Sequence, residues 1–223
     1  MIIIPVINCA SARCVKEKLE TLAKFSPRAR WVHIDVGEKS VSATKAPLFS
    51  QILAPNAKRF DFALHCMVAE KSFFSSSHAK SGAKLVYYHL GEIKNLKKFE
   101  ICTAEWKKRG INIGVVVCVG DDISAIKIPK GVRYILVLAV RPGPAGQKFD
   151  PRAIREVSFL RKKYPRGILT VDGGITPAIV KKLSRAGADA VTSSAYIWES
   201  ANPEEKYKEL AYNSKVKNQN AKV

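Results

Sequence analysis

The sequence predicts a single α/β domain of eight parallel strands alternating with helices, closed into a (β/α)8 or TIM barrel. Three observations predict it. Short apolar runs of strand length alternate with longer amphipathic stretches along the 223 residues, which is the pattern of parallel βαβ units. The strand-like runs number eight, a count that favours closure over an open doubly wound sheet. The first turn after a strand, Asn8-Cys9-Ala10-Ser11, lacks the glycine-rich fingerprint that dinucleotide-binding sheets carry there.

The elements follow in order. Ile2–Ile7 is apolar throughout and reads as a first buried strand. The next seven strands are expected at Arg30–Val36, Phe60–Cys66, Lys84–His89, Asn112–Val119, Arg133–Val140, Gly167–Asp172 and Ala188–Ser193. Continuous apolar runs of this length suit a sheet covered on both faces. Between them, Val15–Lys24 carries Val15, Leu19, Leu22 and Ala23 at helical spacing, and Leu96–Arg109 has a similar face. In Arg152–Tyr164, Ala153, Val157 and Leu160 would face the sheet, while Arg152, Arg155, Arg161 and Lys162 face water. Pro177–Ala186 completes a helical pattern after the seventh strand. The barrel is expected to occupy residues 1–211, and the polar, lysine-rich stretch 212–223 reads as a frayed tail.

A hydrophobic fraction of 47% supports one sizeable core. No apolar run reaches membrane-spanning length, and the first residues lack the basic region and cleavage site of a signal peptide. A cytoplasmic location and no membrane partner are therefore expected. The five cysteines have spacings that fit neither a zinc ribbon nor a disulfide framework. Cys66 and Cys118 read as small core residues. The net charge of +19 suits an anionic partner. Its lysines are spread through helices without an arginine-rich helix or an aromatic RNA-binding signature, so nucleic acid is not the expected partner.

In such a barrel, chemistry gathers at the C-terminal ends of the strands. Three of the four histidines lie there: His33 beside Asp35, then His65, then His89. His78, in a Ser-rich stretch, reads as an ordinary surface residue. Residues two apart on a strand point to one side, so His33 and Asp35 share the barrel interior. With His65 and Asp172 they offer two imidazoles and two carboxylates. That mixed donor set suits one divalent zinc, iron, manganese or cobalt ion better than magnesium. The segment Val171-Asp172-Gly173-Gly174-Ile175 adds a bare turn, able to hold an anion, beside a carboxylate. Loops after the sixth, seventh and eighth strands (Gly143, Pro144, Ala145 and Gly146; Gly173 and Gly174; Ser194) converge on a candidate phosphate site.

At four segments the chain resembles the ribulose-phosphate 3-epimerase family. These are His33-Ile34-Asp35-Val36, His65-Cys66-Met67, Val140-Arg141-Pro142-Gly143-Pro144-Ala145-Gly146-Gln147-Lys148-Phe149, and Val171-Asp172-Gly173-Gly174-Ile175. The last two in tandem are specific to that family, and the likeness runs from Pro5 to Leu210. It implies a ribulose-phosphate-binding barrel that interconverts D-ribulose 5-phosphate and D-xylulose 5-phosphate. It implies Asp35 and Asp172 as the acid–base pair at C3, and His33, Asp35, His65 and Asp172 as ligands of a divalent metal. A small phosphorylated sugar is the implied partner, contacted by His65, Gly143, Pro144, Ala145, Gly146, Gly173, Gly174, Ser194 and Ala195.

The chain departs from the family pattern at several positions. Gly37 and Leu138 stand where methionines are usual, Val6 where a serine is usual, and Ser194-Ala195 where a terminal Gly-Ser pair is usual. The H-x-E motif after the fourth strand becomes His89-Leu90-Gly91. Two alternatives stay open beside the leading reading. One is an epimerase acting on another ketose phosphate, such as an allulose-6-phosphate-like hexulose. The other is a catalytically silent barrel that binds a phosphosugar or, given its charge, nucleic acid. Self-association is left open.

Overall fold

The computed structural model describes residues 1–38, 46–141 and 146–214. Eight strands form a closed barrel in chain order. They are β1 (Ile2–Ile7), β2 (Trp31–Gly37), β3 (Asp61–Met67), β4 (Leu85–His89), β5 (Asn112–Cys118), β6 (Tyr134–Leu138), β7 (Ile168–Asp172) and β8 (Ala190–Ser193). Every neighbouring pair is parallel, and β8 returns to pair with β1. All eight expected strands are present, with ends displaced by two residues at most. Among the described residues the α-helices are α1 (Ala12–Leu22), α2 (Ser50–Asn56), α3 (Ser76–Lys80), α4 (Leu96–Lys108), α5 (Arg152–Lys163), α6 (Pro177–Ala186), α7 (Ala195–Trp198) and α8 (Pro203–Ser214). The connection from β5 to β6 holds turns in place of a helix, so the expected alternation breaks once.

Alternation along the strands separates two apolar layers. Outward residues such as Val32, Leu64, Val115, Val137 and Val191 pack against the helices in one large cluster. Inward residues Ala63, Leu85, Tyr87, Val116, Leu136 and Leu138 fill the barrel. Tyr87 is the largest of these inward side chains, and its hydroxyl lies 3.3 Å from Thr170 Oγ1. Gly114 sits beside it in the β4–β5 register. A methyl group at Gly114 would stand 2.4 Å from the Tyr87 ring, so only glycine leaves room for the tyrosine here.

The helices start where local chemistry provides caps. Ser11 accepts from the Cys14 amide at the start of α1, and Asn95 accepts from Lys98 at the start of α4. On α5, Ala153, Val157 and Leu160 are buried as their spacing requires. Arg161 is the exception to the expected water-facing stripe. Its guanidinium donates to the carbonyls of Pro165, Gly167 and Gly187 and to the Asp189 carboxylate. Asp189 also accepts from the Leu169 amide, so this pair ties together the starts of β7 and β8.

Three other expectations are corrected. Cys9 and Cys14 form a disulfide, with their Cα atoms 5.9 Å apart. The end of β1 and the first turn of α1 bring them together, which sequence spacing does not reveal. His78 is buried: its Nδ1 lies 2.9 Å from Tyr88 Oη and its Nε2 3.8 Å from Cys66 Sγ. Burial pushes this imidazole down to about 4. Finally, α8 extends through Ser214, so Tyr212, Asn213 and Ser214, assigned to the tail from sequence, are helical. Among the described residues no helix is long and apolar enough to cross a membrane.

The fit of Tyr87 against Gly114 can be tested by Gly114→Ala. Overpacking at this position is expected to cost about 1–3 kcal/mol in denaturant unfolding. An unchanged unfolding midpoint would mean that the ring can move aside.

Candidate active site

The register of the sheet builds the site. Asp35 on β2 stands opposite His65 on β3, and His33, two residues before Asp35, shares its inward face. Across the mouth, Asp172 on β7 stands opposite Thr192 on β8. His33, Asp35, His65 and Asp172 converge so that one donor atom from each lies within 4.8 Å of all the others. His33 Nε2 and His65 Nδ1 both lie 3.2 Å from Asp35 Oδ1. His65 Nδ1 is 3.8 Å from Asp172 Oδ2. The Thr192 hydroxyl donates to Asp172 Oδ1, which orients that carboxylate from the side.

Burial alone would raise the Asp35 carboxyl. Hydrogen bonds from His33 and His65, with their charge, outweigh it and hold Asp35 well below the usual carboxylate range. Burial alone would lower His33, but its bond to Asp35 and the charges of Asp35 and Asp172 raise it. Asp35 therefore stands ionised over the working range of pH.

The donor set fits a divalent metal. Nitrogen and oxygen donors bound 2.0–2.2 Å from one ion lie at most about 4.4 Å apart. One donor atom from each of the four already lies within 4.8 Å of the others, so modest side-chain shifts would bring the set onto one ion. Two imidazoles and two carboxylates match a borderline cation.

A cavity of about 620 Å³ opens above this cluster. Asp35, His65 and Asp172 line its floor, while His33 is wholly buried behind them. Gly146, Gly173, Gly174, Ser194 and Ala195 line the same cavity, so the loops after β6, β7 and β8 do converge. Gly143, Pro144 and Ala145 lie outside the described residues. At Gly174, with φ +64°, a Cβ would stand 2.3 Å from the Phe149 amide nitrogen. The turn after β7 therefore packs directly on the loop after β6, and a side chain would drive the two apart.

Several departures from the expected pattern, Val6, Leu138, Ser194 and Ala195, line this cavity. Met67 lines it as well, and Gly37 pairs with Met67 in the sheet. Sequence reasoning assigned no role to four further residues. Thr192 orients Asp172 and would have been legible as an inward residue of β8. His89, at the end of β4, has its Nε2 2.9 Å from His65 Nε2. Burial and the charge of His65 push it down to about 3. Lys148 and Lys206 bring cationic side chains to the cavity. Lys206 comes from α8, pairs with Glu209 at 2.9 Å and lies over the Tyr196 ring. No local sequence signal places that helix beside the mouth.

Comparison with known proteins agrees with this geometry. The profile of the Ribulose-phosphate 3 epimerase family matches residues 2–198. The chain is 29% identical over 183 residues to the cytoplasmic isoform of ribulose-phosphate 3-epimerase from Oryza sativa subsp. japonica, covering 79% of each chain. It is 30% identical over 179 residues to the ribulose-phosphate 3-epimerase of Helicobacter pylori, covering 77% of this chain and 81% of that one. Among solved structures it resembles 3-hexulose-6-phosphate synthase from Salmonella typhimurium. That match has a TM-score of 0.71 at 16% identity and covers 96% of this chain and 98% of the other. At that identity the likeness concerns the fold.

The opposed shifts of Asp35 and His33 predict the pH dependence of the chelator-treated protein. A depressed carboxyl stabilises the fold fully above its unfolded value of about 3.9, and this is lost as pH falls through the folded value. A raised imidazole stabilises fully below about 6.5, and this is lost as pH rises through its folded value. Together they favour a stability maximum between about pH 4 and 6.5. Asp35→Asn is expected to flatten both flanks in melting temperature against pH. A variant profile parallel to the wild type would contradict the pairing.

Proposed function

The chain belongs to the ribulose-phosphate 3-epimerase family and is a carbohydrate epimerase; from that premise we propose that it interconverts D-ribulose 5-phosphate and D-xylulose 5-phosphate. The observation that carries the reading is the convergence of Asp35 and Asp172 with two histidines on the floor of a single cavity. Asp35 and Asp172 act as the acid–base pair at C3. One removes the proton beside the carbonyl, and the other delivers a proton from the opposite side. Which begins as base depends on the epimer bound, so the roles exchange with the direction of reaction.

The carboxylates are suited to this work by their surroundings. Asp35 is held ionised by two imidazoles, and Asp172 is oriented by the Thr192 hydroxyl. They stand on β2 and β7, which β1 and β8 separate in the barrel, so they approach a bound sugar from different sides. His33, Asp35, His65 and Asp172 would hold one divalent ion. Its charge, when present, stabilises negative charge developing on the sugar oxygens. The bare turn at Gly173-Gly174, with Gly146 and Ser194-Ala195 around it, offers backbone N–H groups to the phosphate. Lys148 and Lys206 supply positive charge at the same cavity.

A second reading, an epimerase for a hexulose phosphate, is favoured by one feature. Gly37, next but one to Asp35, stands where the family pattern has methionine. A smaller side chain there, with Val6 and Leu138 in the cavity wall, would suit a pocket reshaped for a longer sugar.

A coupled assay of ribulose 5-phosphate epimerisation tests the leading reading. Asp35→Asn and Asp172→Asn are each expected to lower kcat by about 10²- to 10⁴-fold, the range for loss of a positioned acid or base, with circular dichroism unchanged. Near-wild-type turnover in either folded variant would remove the two-aspartate assignment. Metal-stripped protein is expected to lose activity and regain it with a divalent ion. A panel of pentulose and hexulose phosphates then ranks kcat/KM, and preference for a six-carbon substrate would establish the second reading.

A further inference from the structure

We propose that His89 is a positioning residue that fixes the ring and tautomer of His65 in the metal centre. The inference rests on the reading of the His33, Asp35, His65 and Asp172 cluster as a metal site. His89 is 6% exposed, and its ring stacks on that of His65 with centroids 5.1 Å apart and planes 20° apart. The two Nε2 atoms are 2.9 Å apart. At that distance one of the two nitrogens carries a hydrogen and the other accepts it.

The direction of that bond follows from the other side of His65. Its Nδ1 faces Asp35 Oδ1 at 3.2 Å and Asp172 Oδ2 at 3.8 Å, so Nδ1 is the atom turned to the cluster. A neutral imidazole that offers Nδ1 to a metal carries its hydrogen on Nε2. With a metal on Nδ1, His65 Nε2 would therefore donate to His89 Nε2. His89 must then carry its own hydrogen on Nδ1, which lies 3.8 Å from Cys118 Sγ, a weak acceptor. The chain His65–His89–Cys118 thus has one polarity, and it runs from β3 through β4 to β5. His33 has no such support: its Nδ1 is buried and makes no hydrogen bond among the described residues. Of the two imidazoles in the centre, His65 alone is held from behind.

Partners of this kind fix ring orientation and raise ligand basicity, and their loss typically weakens metal affinity about 10- to 100-fold. The probe is cobalt(II), titrated into chelator-treated full-length protein and followed by its visible absorption and by competition with a chelator. His89→Leu is expected to weaken cobalt affinity about 10- to 100-fold. His89→Gln, whose side-chain oxygen can accept from His65 Nε2, is expected to recover most of it. A purely structural role would lower the melting temperature of both variants without this difference in affinity. Equal affinity for wild type and His89→Leu would overturn the inference and leave the metal centre standing. Failure of the wild type to bind cobalt would overturn both. Should His89→Leu not fold, imidazole nitrogen NMR of the zinc-loaded wild type decides. Hydrogen on His65 Nε2 and on His89 Nδ1 is expected, and hydrogen on His89 Nε2 would overturn the inference.

Discussion

The ladder between β2 and β3 sets Asp35 opposite His65, and the ladder between β7 and β8 sets Asp172 opposite Thr192. Side chains on a strand alternate between faces, so a slip of one residue would send all of these outward among the helices. Closure of the ring removes that freedom, because each strand is registered against two neighbours. The buried aliphatic layer between sheet and helices stabilises the register. The site inherits its geometry from this arrangement, and the loops above it add a lining.

Placing two carboxylates and two imidazoles in a buried floor carries a desolvation cost. Here the cost is offset within the group: Asp35 accepts from His33 and His65, and Asp172 accepts from Thr192. A divalent cation at the same point would offset it further, which is why these donors suit a metal better than a static salt bridge. The net charge of +19 acts over a longer range. It favours the approach of anionic sugar phosphates at low ionic strength and fades as salt screens it.

Most of the framework was legible in the sequence because burial on both faces leaves each strand as a continuous apolar run. The strand-end residues His33, Asp35, His65 and Asp172 were legible for the same reason, as polar exceptions to those runs. What was not legible depends on distant partners. α2 is short and contains Pro55, so its helical pattern is weak. His78 reads as surface until β3 and β4 bring Cys66 and Tyr88 to it. The Cys9–Cys14 bond needs the turn into α1 to bring its ends together. Lys206 reaches the cavity only because α8 packs against β1 and α7 beside the mouth. His89 was visible as a strand-end histidine, but its contact with His65 depends on ring placement across β3 and β4.

Arg161 sits at the far end of the barrel from the cavity, where it gathers the carbonyls of Gly167 and Gly187 and the carboxylate of Asp189. β7 and β8 begin there, and their other ends carry Asp172 and Thr192. One planar, forked cation therefore couples two short strands into a single stiff lever whose tip is the carboxylate–hydroxyl pair. A lysine would keep the charge but not the fork, leaving the strands free to shear past one another. In this barrel, tolerance to mutation is thus not a simple function of distance from the chemistry.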